Sequence, residues 1–538
     1  MDTIFYNGKI FTEDKAYPTC SALAVKNGVI VALGEDEEIL KMAEAGTEKI
    51  DLAGRLMLPG FVDTHLHMLF YAQEASLIDL TDCRRFDDVK RLCADRVDWA
   101  KENHKWVQGT GFNQDDWDVK TIPTRKDLDQ ITEDVPLTIR RTCHHITVCN
   151  TKAMETMGLM GEKEDSTQIN MGFYEDGSPN GILKEDSQNV VTDALPLPDK
   201  EEIKKLILFG CNQAAAQGIT ELHSDDFLLI PGEAGDQVME AYRELSEAGE
   251  LPIRIYQQCM LWGKELLEEF IEKGHRTGES YGFYKVGPLK IVTDGSLGAH
   301  TAYMRSPYAN DPETKGKANY TDEQLYEMCK LAHDHGMQIA THCIGDGSLQ
   351  QILDAYEKVQ MENPRTDCRH GVVHCQIMDA EQQEQFRKQN LLAYVQPVFV
   401  RYDMNIVDDC VGSDLARTSY NWRRFEDLGV HQSGGSDCPV EKFDILPNIE
   451  YAVTRTNREL QKSWYPENAV TLEEAVKMFT YEGAYASFAE NVRGSITVGK
   501  YADLVVVDKD IFEIPVSEIH TAAVDLTMVE GKIAYKRQ

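Results

Sequence analysis

The sequence has 538 residues, and its 55 basic and 90 acidic side chains give a formal net charge of −35. This acidic balance argues against nucleic acid or an anionic membrane as the main partner, because both need clustered Lys and Arg. A hydrophobic fraction of 42% can bury a full core, and no stretch approaches the roughly 20 apolar residues of a membrane helix. The chain also begins without the features of a signal peptide, and its 13 scattered cysteines lack a C-x-x-C pair. We therefore predict a large cytoplasmic enzyme with reduced thiols.

Short strands are predicted at both ends of the sequence. Their ranges are 3–6, 9–12, 22–26, 29–33, 502–508, 525–529 and 532–535. Asn7-Gly8 and Asn27-Gly28 each separate two of these strands, and Asn-Gly tolerates the positive φ angles of a tight hairpin. Two strand-rich ends around a mixed middle predict one small β-sandwich, built from residues 1–57 and 490–538.

The middle of the sequence alternates strands with helical stretches, which is typical of parallel βαβ units. Eight core strands are predicted over 60–64, 219–222, 253–256, 289–292, 338–341, 371–374, 392–395 and 432–436. This number of strands with helical crossovers predicts an α/β fold of the (β/α)8 TIM-barrel type over residues 58–489. The gap after the first strand is too long for one crossover, so we predict an insertion at about 100–200, with strands over 106–109 and 137–140.

The strongest local motif is Asp63-Thr64-His65-Leu66-His67. Alternate residues on a strand point the same way, so His65 and His67 project together and could hold one divalent metal. The same spacing recurs at His333 and His335. These lie on a predicted helix, where residues two apart diverge by about 200°, so we interpret them as surface or packing residues.

Further polar residues stand at the ends of other predicted strands. His342, His374 and Asp437 each follow or end a strand, and Lys290 lies inside the apolar run 288–292. A lysine there is costly unless it is neutralised, paired or functional. Strand carboxyl ends converge at one mouth of a barrel, where catalysis occurs in this fold. The predicted metal site therefore comprises His65, His67, Lys290, His342, His374 and Asp437.

These motifs together resemble the amidohydrolase superfamily, in its YtcJ-like branch that contains N-substituted formamide deformylases. The matching segments are LPGFVDTHLH (58–67), KIVTDGSLG (290–298), HCIGD (342–346), HCQ (374–376), GSDCP (435–439) and the return segment 494–505. The resemblance covers nearly the whole chain.

The resemblance implies roles for the six residues. His65, His67 and Asp437 would bind the more buried metal, and His342 and His374 a second one. Lys290 matches a lysine that is carboxylated in many members, and its carbamate would bridge the two metals, which stabilise the anion. Zinc is the default for one or two divalent ions per chain because imidazoles dominate the ligand set, while manganese, iron and nickel remain open.

The implied reaction is hydrolysis of a carbon–nitrogen bond in a small-molecule amide or formamide. A bound dication makes hydroxide available near neutral pH, and Asp437 would take the proton of the water and deliver it to the leaving nitrogen. Trp117 and His145 match family positions in the insertion, as substrate-binding residues or as packing and anchoring residues. Asp294, after the fourth strand, would bind substrate or cap its loop.

Two other functions remain open from the sequence alone. One is a deaminase or isomerase on the same barrel, which would use one metal and lack the bridging lysine, so Lys290 argues against it. The other is a non-catalytic binding protein that kept the fold, although such relatives typically lose metal ligands. Relatives often pair, so we expect a homodimer.

Overall fold

The computed structural model describes residues 1–143, 145–161 and 169–538. Two compact units make up this part of the chain. The first comprises Met1–Tyr71 and Lys200–Gln538, and the second comprises Ala72–Asp199. Within the described ranges, no helix combines the length and the apolar character that crossing a bilayer requires.

A parallel sheet of eight strands forms the centre of the first unit, and each strand pairs with the next one along the chain. The barrel strands, numbered 1 to 8 in chain order, are Phe61–Leu66, Ile219–Asp225, Arg254–Met260, Tyr284–Val292, Ile339–Cys343, Gly371–His374, Leu392–Val395 and Gln432–Gly434. A short strand, Ser280–Tyr281, pairs antiparallel with strand 4. All eight predicted strands are present, which confirms the α/β barrel.

Hydrogen bonds join strand 1 to the segment that contains strand 8, so the barrel is nearly closed. The Thr64 hydroxyl donates to the carbonyl oxygen of Gly434 at 2.9 Å. The backbone N–H of Asp437 donates to the carbonyl oxygen of His65 at 2.8 Å. These contacts fix the two ends of the sheet at the place where predicted metal ligands lie.

Helices separate the barrel strands, and their apolar residues recur with helical spacing. The helix Asp346–Glu362, for example, buries Leu349, Ile352, Leu353 and Tyr356. The α-helices of the described residues are Asp36–Leu40, Met68–Ala75, Phe86–Glu102, Arg125–Asp129, Thr151–Thr156, Asn189–Ala194, Lys200–Ala216, Asp236–Glu247, Lys264–Glu272, Asp322–Asp334, Asp346–Glu362, Ala380–Gln389, Val400–Asp403, Val407–Val411, Ser413–Thr418, Trp422–Leu428, Ile445–Thr454, Leu472–Met478 and Tyr481–Ala486. Short 3-10 helices are Gln114–Asp116, Glu185–Gln188, Phe227–Leu229, Pro397–Phe399, Pro466–Asn468 and Val516–Thr521.

Strands from both ends of the chain form two further sheets in the first unit. The four-stranded sheet has the order Val29–Gly34, Ala22–Lys26, Thr3–Tyr6 and Glu48–Asp51. The six-stranded sheet has the order Lys532–Lys536, Val524–Val529, Leu504–Val507, Leu56–Pro59, Lys9–Phe11 and Thr19–Cys20. A two-stranded ladder, Thr456–Asn457 with Lys462–Ser463, completes the strands of this unit.

The predicted hairpin at Asn7-Gly8 is wrong. Thr3–Tyr6 belongs to the four-stranded sheet, whereas Lys9–Phe11 belongs to the six-stranded sheet, so the two strands do not pair. Asn7 adopts the left-handed conformation with φ of 56°, and a Cβ on Gly8 would lie 2.2 Å from Cδ1 of Leu52. Asn-Gly therefore makes a corner between two sheets here, because Gly8 must pass closely over a buried leucine.

The predicted hairpin at Asn27-Gly28 is confirmed, and the last two strands of the chain also pair as a hairpin, around Glu530-Gly531. Asn27 and Gly28 have φ angles of 51° and 76°, and Glu530 and Gly531 have φ angles of 48° and 76°. Two successive positive φ angles match the turn that suits the right-handed twist of paired antiparallel strands.

The second unit has its own six-stranded sheet. Its strands, in sheet order, are Met171–Phe173, Pro179–Lys184, Ile146–Cys149, Leu137–Arg141, Val107–Phe112 and Ile78–Asp79. The strands predicted over 106–109 and 137–140 are confirmed and lie side by side as a parallel pair. Buried residues of this sheet and of the helix Phe86–Glu102 share one hydrophobic cluster.

Candidate metal centre

His65 and His67 lie on and directly after strand 1, and their rings are turned toward Asp437. The Nε2 atoms of both histidines lie 3.3 Å from Oδ1 of Asp437. One imidazole nitrogen from each histidine and one carboxylate oxygen of Asp437 all lie within 4.8 Å of one another. Two imidazole nitrogens and a carboxylate oxygen are a ligand set that zinc and similar dications prefer.

The backbone is strained at two of the predicted ligands. His374 and Asp437 adopt positive φ angles of 78° and 60°, which cost a non-glycine residue about 1–3 kcal/mol. Next to Asp437 the chain also passes close to strand 1, since a Cβ on Gly435 would lie 2.8 Å from the backbone nitrogen of His65. Such strain persists only where the surroundings fix the conformation, as they do at functional sites.

Glutamines orient two of the imidazole rings. Nδ1 of His65 lies 2.8 Å from Oε1 of Gln258, whose Nε2 donates to the carbonyl oxygen of Thr64 at 3.0 Å. Nδ1 of His374 lies 2.9 Å from Oε1 of Gln396. An amide oxygen only accepts, so each ring carries its proton on Nδ1 and presents a lone pair on Nε2. Sequence reasoning missed both glutamines because strand positions alone do not show this pairing.

The protonation of His65 favours a cation at this place. Burial, with the charge of Lys290 adding to it, lowers the pKa of His65 to about 3, so the ring is neutral. With the proton on Nδ1, the Nε2 lone pair and the Asp437 carboxylate face each other as two acceptors at 3.3 Å. A dication between them would relieve this repulsion, so the residues fit a metal ion.

Asp225 is an acidic neighbour of this set that sequence reasoning missed. It ends barrel strand 2 and is fully buried, and its carboxylate oxygens make no hydrogen bond with any described residue. Its Oδ2 lies 3.9 Å from Nδ1 of His67 and 3.9 Å from Nζ of Lys290, while its carbonyl oxygen is 3.2 Å from the same His67 nitrogen. Burial raises the pKa of Asp225 to about 6. Its place at the end of strand 2 was the signal that could have identified it.

Lys290 lies inside strand 4 and is only 2% exposed. Its Nζ is 3.3 Å from Nε2 of His65. Burial lowers its pKa, which favours the neutral amine, while the carboxylate of Asp225 favours the charged form. A neutral amine is the form that reacts with carbon dioxide, and a charged amine is the form that pairs with Asp225.

His342 and His374 lie next to each other on strands 5 and 6. Their ring centroids are 4.4 Å apart, and the His374 ring is 5.4 Å from that of His65. Nε2 of His342 is turned toward the loop after strand 4, at 3.3 Å from both the carbonyl oxygen of Gly295 and Oδ1 of Asp294. His342 is therefore close to the other histidines, but its Nε2 contacts the loop after strand 4, whereas His65 and His374 contact glutamines through Nδ1.

Asp294 is 2% exposed, and its carboxylate binds backbone and hydroxyl groups of its surroundings. The donors are the N–H groups of Tyr303 (3.0 Å), Ile344 (3.1 Å) and Gly345 (2.8 Å) and the hydroxyl of Ser348 (2.7 Å). These contacts give Asp294 the loop-capping arrangement, which fixes the segment after strand 5. Its role in substrate binding stays a prediction.

All six predicted ligands line one cavity of about 410 Å³, which has the size of a small-molecule site. They are His65, His67, Lys290, His342, His374 and Asp437. The convergence of strand ends at one mouth explains why residues so far apart in sequence meet there. The pair His333 and His335 lies elsewhere: the buried His333 is 2.8 Å from His370, and the exposed His335 contacts its own helix.

Trp117 and His145 lie in the second unit. Trp117 is 4% exposed, and its ring centroid is 5.6 Å from that of Phe112 and 6.2 Å from that of Phe86. The His145 side chain is 66% exposed, and its Nδ1 is 2.9 Å from Oε2 of Glu185. Trp117 packs in its local core. The substrate-binding roles of both residues stay predictions.

Comparison with known proteins supports the resemblance seen in the sequence. A family model described as Amidohydrolase family matches residues 48–535. YtcJ of Bacillus subtilis (strain 168) is 29% identical over 540 residues, which cover 100% of both chains. The N-substituted formamide deformylase of Arthrobacter pascens is 24% identical over 556 residues, covering 100% of this chain and 98% of that one. The crystal structure of an uncharacterized metal-dependent hydrolase from Pyrococcus furiosus has a TM-score of 0.77 and 24% identity, with coverage of 94% and 99%. The chain belongs to the amidohydrolase family.

Proposed function

We propose that this chain is a metal-dependent hydrolase that cleaves the carbon–nitrogen bond of an amide or N-substituted formamide. The observation that carries the proposal is the approach of His65 and His67 to Asp437, with both Nε2 atoms 3.3 Å from one carboxylate oxygen inside the cavity. The deformylase of Arthrobacter pascens cleaves bonds of this class, as its name states, and aligns with the whole chain.

The proposed cofactor is a divalent cation, with zinc first because imidazole nitrogens dominate the donors. His65, His67 and Asp437 would hold one ion. His342, His374 and a carboxylated Lys290 would complete a second position. A bound dication lowers the pKa of water and polarises a carbonyl group.

The chain itself supplies proton transfer and orientation. The Asp437 carboxylate accepts a proton from the attacking water and returns it to the leaving nitrogen, which would otherwise depart as an unstable anion. Gln258 and Gln396 hold the rings of His65 and His374 so that their Nε2 atoms face the substrate cavity.

One observation favours a single-metal alternative, a deaminase or isomerase on the same barrel. Nζ of Lys290 lies 3.9 Å from the buried carboxylate of Asp225, whose oxygens have no hydrogen-bond partner among the described residues. If that pair persists, Lys290 stays a cation and does not bridge two metals.

Elemental analysis, carbonate labelling and a substrate panel test the proposal together. Protein loaded with zinc, manganese, iron or nickel in bicarbonate is assayed on N-formyl and N-acyl amines. We expect two ions per chain, a carbamate signal from 13C-labelled bicarbonate in NMR spectra, and amide hydrolysis. One ion without a carbamate signal would favour the single-metal alternative, and no bound metal after supplementation would favour a non-catalytic protein.

We also propose that the two terminal sheets form the small β-sandwich expected for residues 1–57 and 490–538, beside a barrel domain over 58–489. One hydrophobic cluster supports this assignment, because it joins Phe5 and Val25 of the four-stranded sheet to Met57, Val506 and Met528 of the six-stranded sheet. The insertion is proposed at about 100–200.

A further inference from the structure

Two acidic side chains line the metal-site cavity and have no part in the proposed reaction. Asp403 and Glu441 both contribute to the wall of this cavity of about 410 Å³. Glu441 follows the predicted ligand Asp437 by four residues in the sequence. The two carboxylates and the predicted ligands therefore face the same small space, in which one small molecule would contact both.

Asp403 is positioned by a short helical segment that begins beside the ligands. The Phe399 ring lies 6.1 Å from the His374 ring and is tilted by only 13°. Phe399 has helical dihedral angles and leads directly into the helix Val400–Asp403. Residues four apart on a helix share a face, and four residues rise about 6 Å, so Asp403 lies one turn away from Phe399 on the same side.

Neither carboxylate forms an ion pair within 4 Å among the residues that the structure describes, although the charges of Arg401 and Lys442 act on Glu441. The Tyr420 hydroxyl donates to Oδ2 of Asp403 at 2.5 Å. The guanidinium of Arg401 donates a hydrogen bond to Glu459 at 3.2 Å. Burial raises the pKa of Glu441, and the negative charge of Asp403 adds to this shift, whereas the charges of Arg401 and Lys442 oppose it.

Two aromatic rings beside the acids also favour a positively charged ligand. Phe399 and Tyr402 line the cavity beside the acids, and Tyr402 is 50% exposed. Ring faces attract cations, and the Arg401 guanidinium already lies over the Tyr402 ring, 4.7 Å from its centroid. Two partly buried carboxylates are costly to leave without a cation in direct contact. A neutral or anionic molecule in this cavity would leave both carboxylates without a cation in direct contact.

We propose that the substrate carries a positively charged group, an alkylammonium or a guanidinium, which Asp403 and Glu441 bind while its amide lies at His65, His67 and Asp437. This inference rests on the proposed function and specifies its substrate class. The acids act as specificity-determining residues, because they contact the charged end of the substrate and not the bond that breaks.

Matched substrates test the inference. N-formyl-1,5-diaminopentane carries an ammonium group, and N-formyl-5-aminopentan-1-ol replaces that group with a neutral hydroxyl. For the zinc-loaded full-length protein we expect kcat/KM to favour the cation by about tenfold or more. Asp403→Asn and Glu441→Gln should each reduce this preference about tenfold, mainly through KM for the cation. Glu323→Gln, which removes an exposed charge from the helix Asp322–Asp334, should keep the preference and controls for the acidic surface.

A binding measurement separates this inference from the proposed function. Calorimetry compares n-pentylammonium with pentan-1-ol on the same zinc-loaded proteins, after circular dichroism has shown that the variants are folded. Tighter binding of the amine that both variants weaken, without hydrolysis of either amide, would support the cation site and contradict amide hydrolysis. Equal hydrolysis of both substrates and equal binding of both probes in all proteins would overturn the cation site and leave the proposed function standing.

Discussion

The Nε2 atom of His65 lies 3.3 Å from Oδ1 of Asp437, although His65 belongs to the first barrel strand and Asp437 follows the last. The backbone hydrogen bond from Asp437 to His65, at 2.8 Å, holds these segments together independently of the side chains. The backbone hydrogen bond therefore fixes the two residues relative to each other. The side-chain contact adds no hydrogen bond, because both Nε2 of His65 and the Asp437 carboxylate are acceptors. This arrangement makes the carboxylate the most informative position to change.

Asp437→Asn should remove the negative charge of a predicted metal ligand and the proposed proton acceptor. We expect turnover of an identified amide substrate to fall by about 10²–10⁴-fold, the usual contribution of a positioned acid–base group. Bound zinc, measured by elemental analysis, should fall as well. Asp354→Asn on the exposed side of the helix Asp346–Glu362 is the matched control. An Asp437→Asn protein that keeps its metal and near-normal turnover would rule out the assigned role.

Gln258→Leu should weaken metal binding without removing a ligand. The His65 ring loses the oxygen that fixes its proton on Nδ1, and changes of this kind cost about 10–100-fold in metal affinity. Competition with a chromophoric chelator measures the affinity. Gln213→Leu, at an exposed position of the helix Lys200–Ala216, controls for loss of an amide. Equal zinc affinity in the Gln258→Leu and wild-type proteins would contradict this role of the glutamine.

Asp294→Ala should destabilise the first unit. Three backbone N–H groups and the Ser348 hydroxyl lose their acceptor in a buried place, and we expect a loss of about 3 kcal/mol in the free energy of unfolding. Urea denaturation measures this change. If stability is unchanged and only KM rises, Asp294 binds substrate and does not cap its loop.

Trp117→Ala should destabilise the second unit by about 3–5 kcal/mol, the usual effect of truncating a buried aromatic residue. His145→Ala should change stability by less than about 0.5 kcal/mol because the His145 side chain is 66% exposed. Urea denaturation and KM are measured for both variants. A KM increase in His145→Ala at unchanged stability would support its predicted contact with substrate, and an unchanged KM would count against it.

Binding of n-pentylammonium should weaken as the pH falls through 6. Burial raises the pKa of Asp403 to about 6, so below this pH the side chain takes up a proton and loses its charge. We expect about a tenfold loss of affinity between pH 7 and pH 5, because one unit below a pKa about nine-tenths of the group is protonated. The amine keeps its charge over this range. Asp403→Asn should flatten the profile, and an identical slope in that variant would contradict the assignment.

The barrel and its predicted ligands could be read from the sequence because their signals are local. Several barrel strands contain short apolar runs, such as Leu392–Val395, and the parallel sheet places the polar residue at a strand end, as His374 shows. Lys290 could be noticed because a lysine is rare inside an apolar strand.

The residues that hydrogen-bond to the predicted metal-binding histidines could not be predicted from the sequence in the same way. Gln258 and Gln396 look like ordinary strand residues until the rings of His65 and His374 are seen beside them. Asn7-Gly8 forms a corner and not the predicted hairpin, because a positive φ angle suits both and the close approach of Gly8 to the distant Leu52 is not visible in the local sequence. Contacts between residues that are far apart in the sequence determine both the glutamine–histidine pairs and the Asn7-Gly8 corner.

The pairing of Leu504–Val507 with Leu56–Pro59 joins the tail of the chain to the strand that leads into His65. The backbone N–H of Gly60 also donates to the carbonyl oxygen of Asp503, at 2.8 Å. A premature stop codon shortly before Asp503 would spare every predicted metal ligand, yet it would leave the strand that precedes barrel strand 1 without its partner strand. Gene fragments that end there would encode inactive, aggregation-prone chains, because an unpaired strand edge recruits other strands.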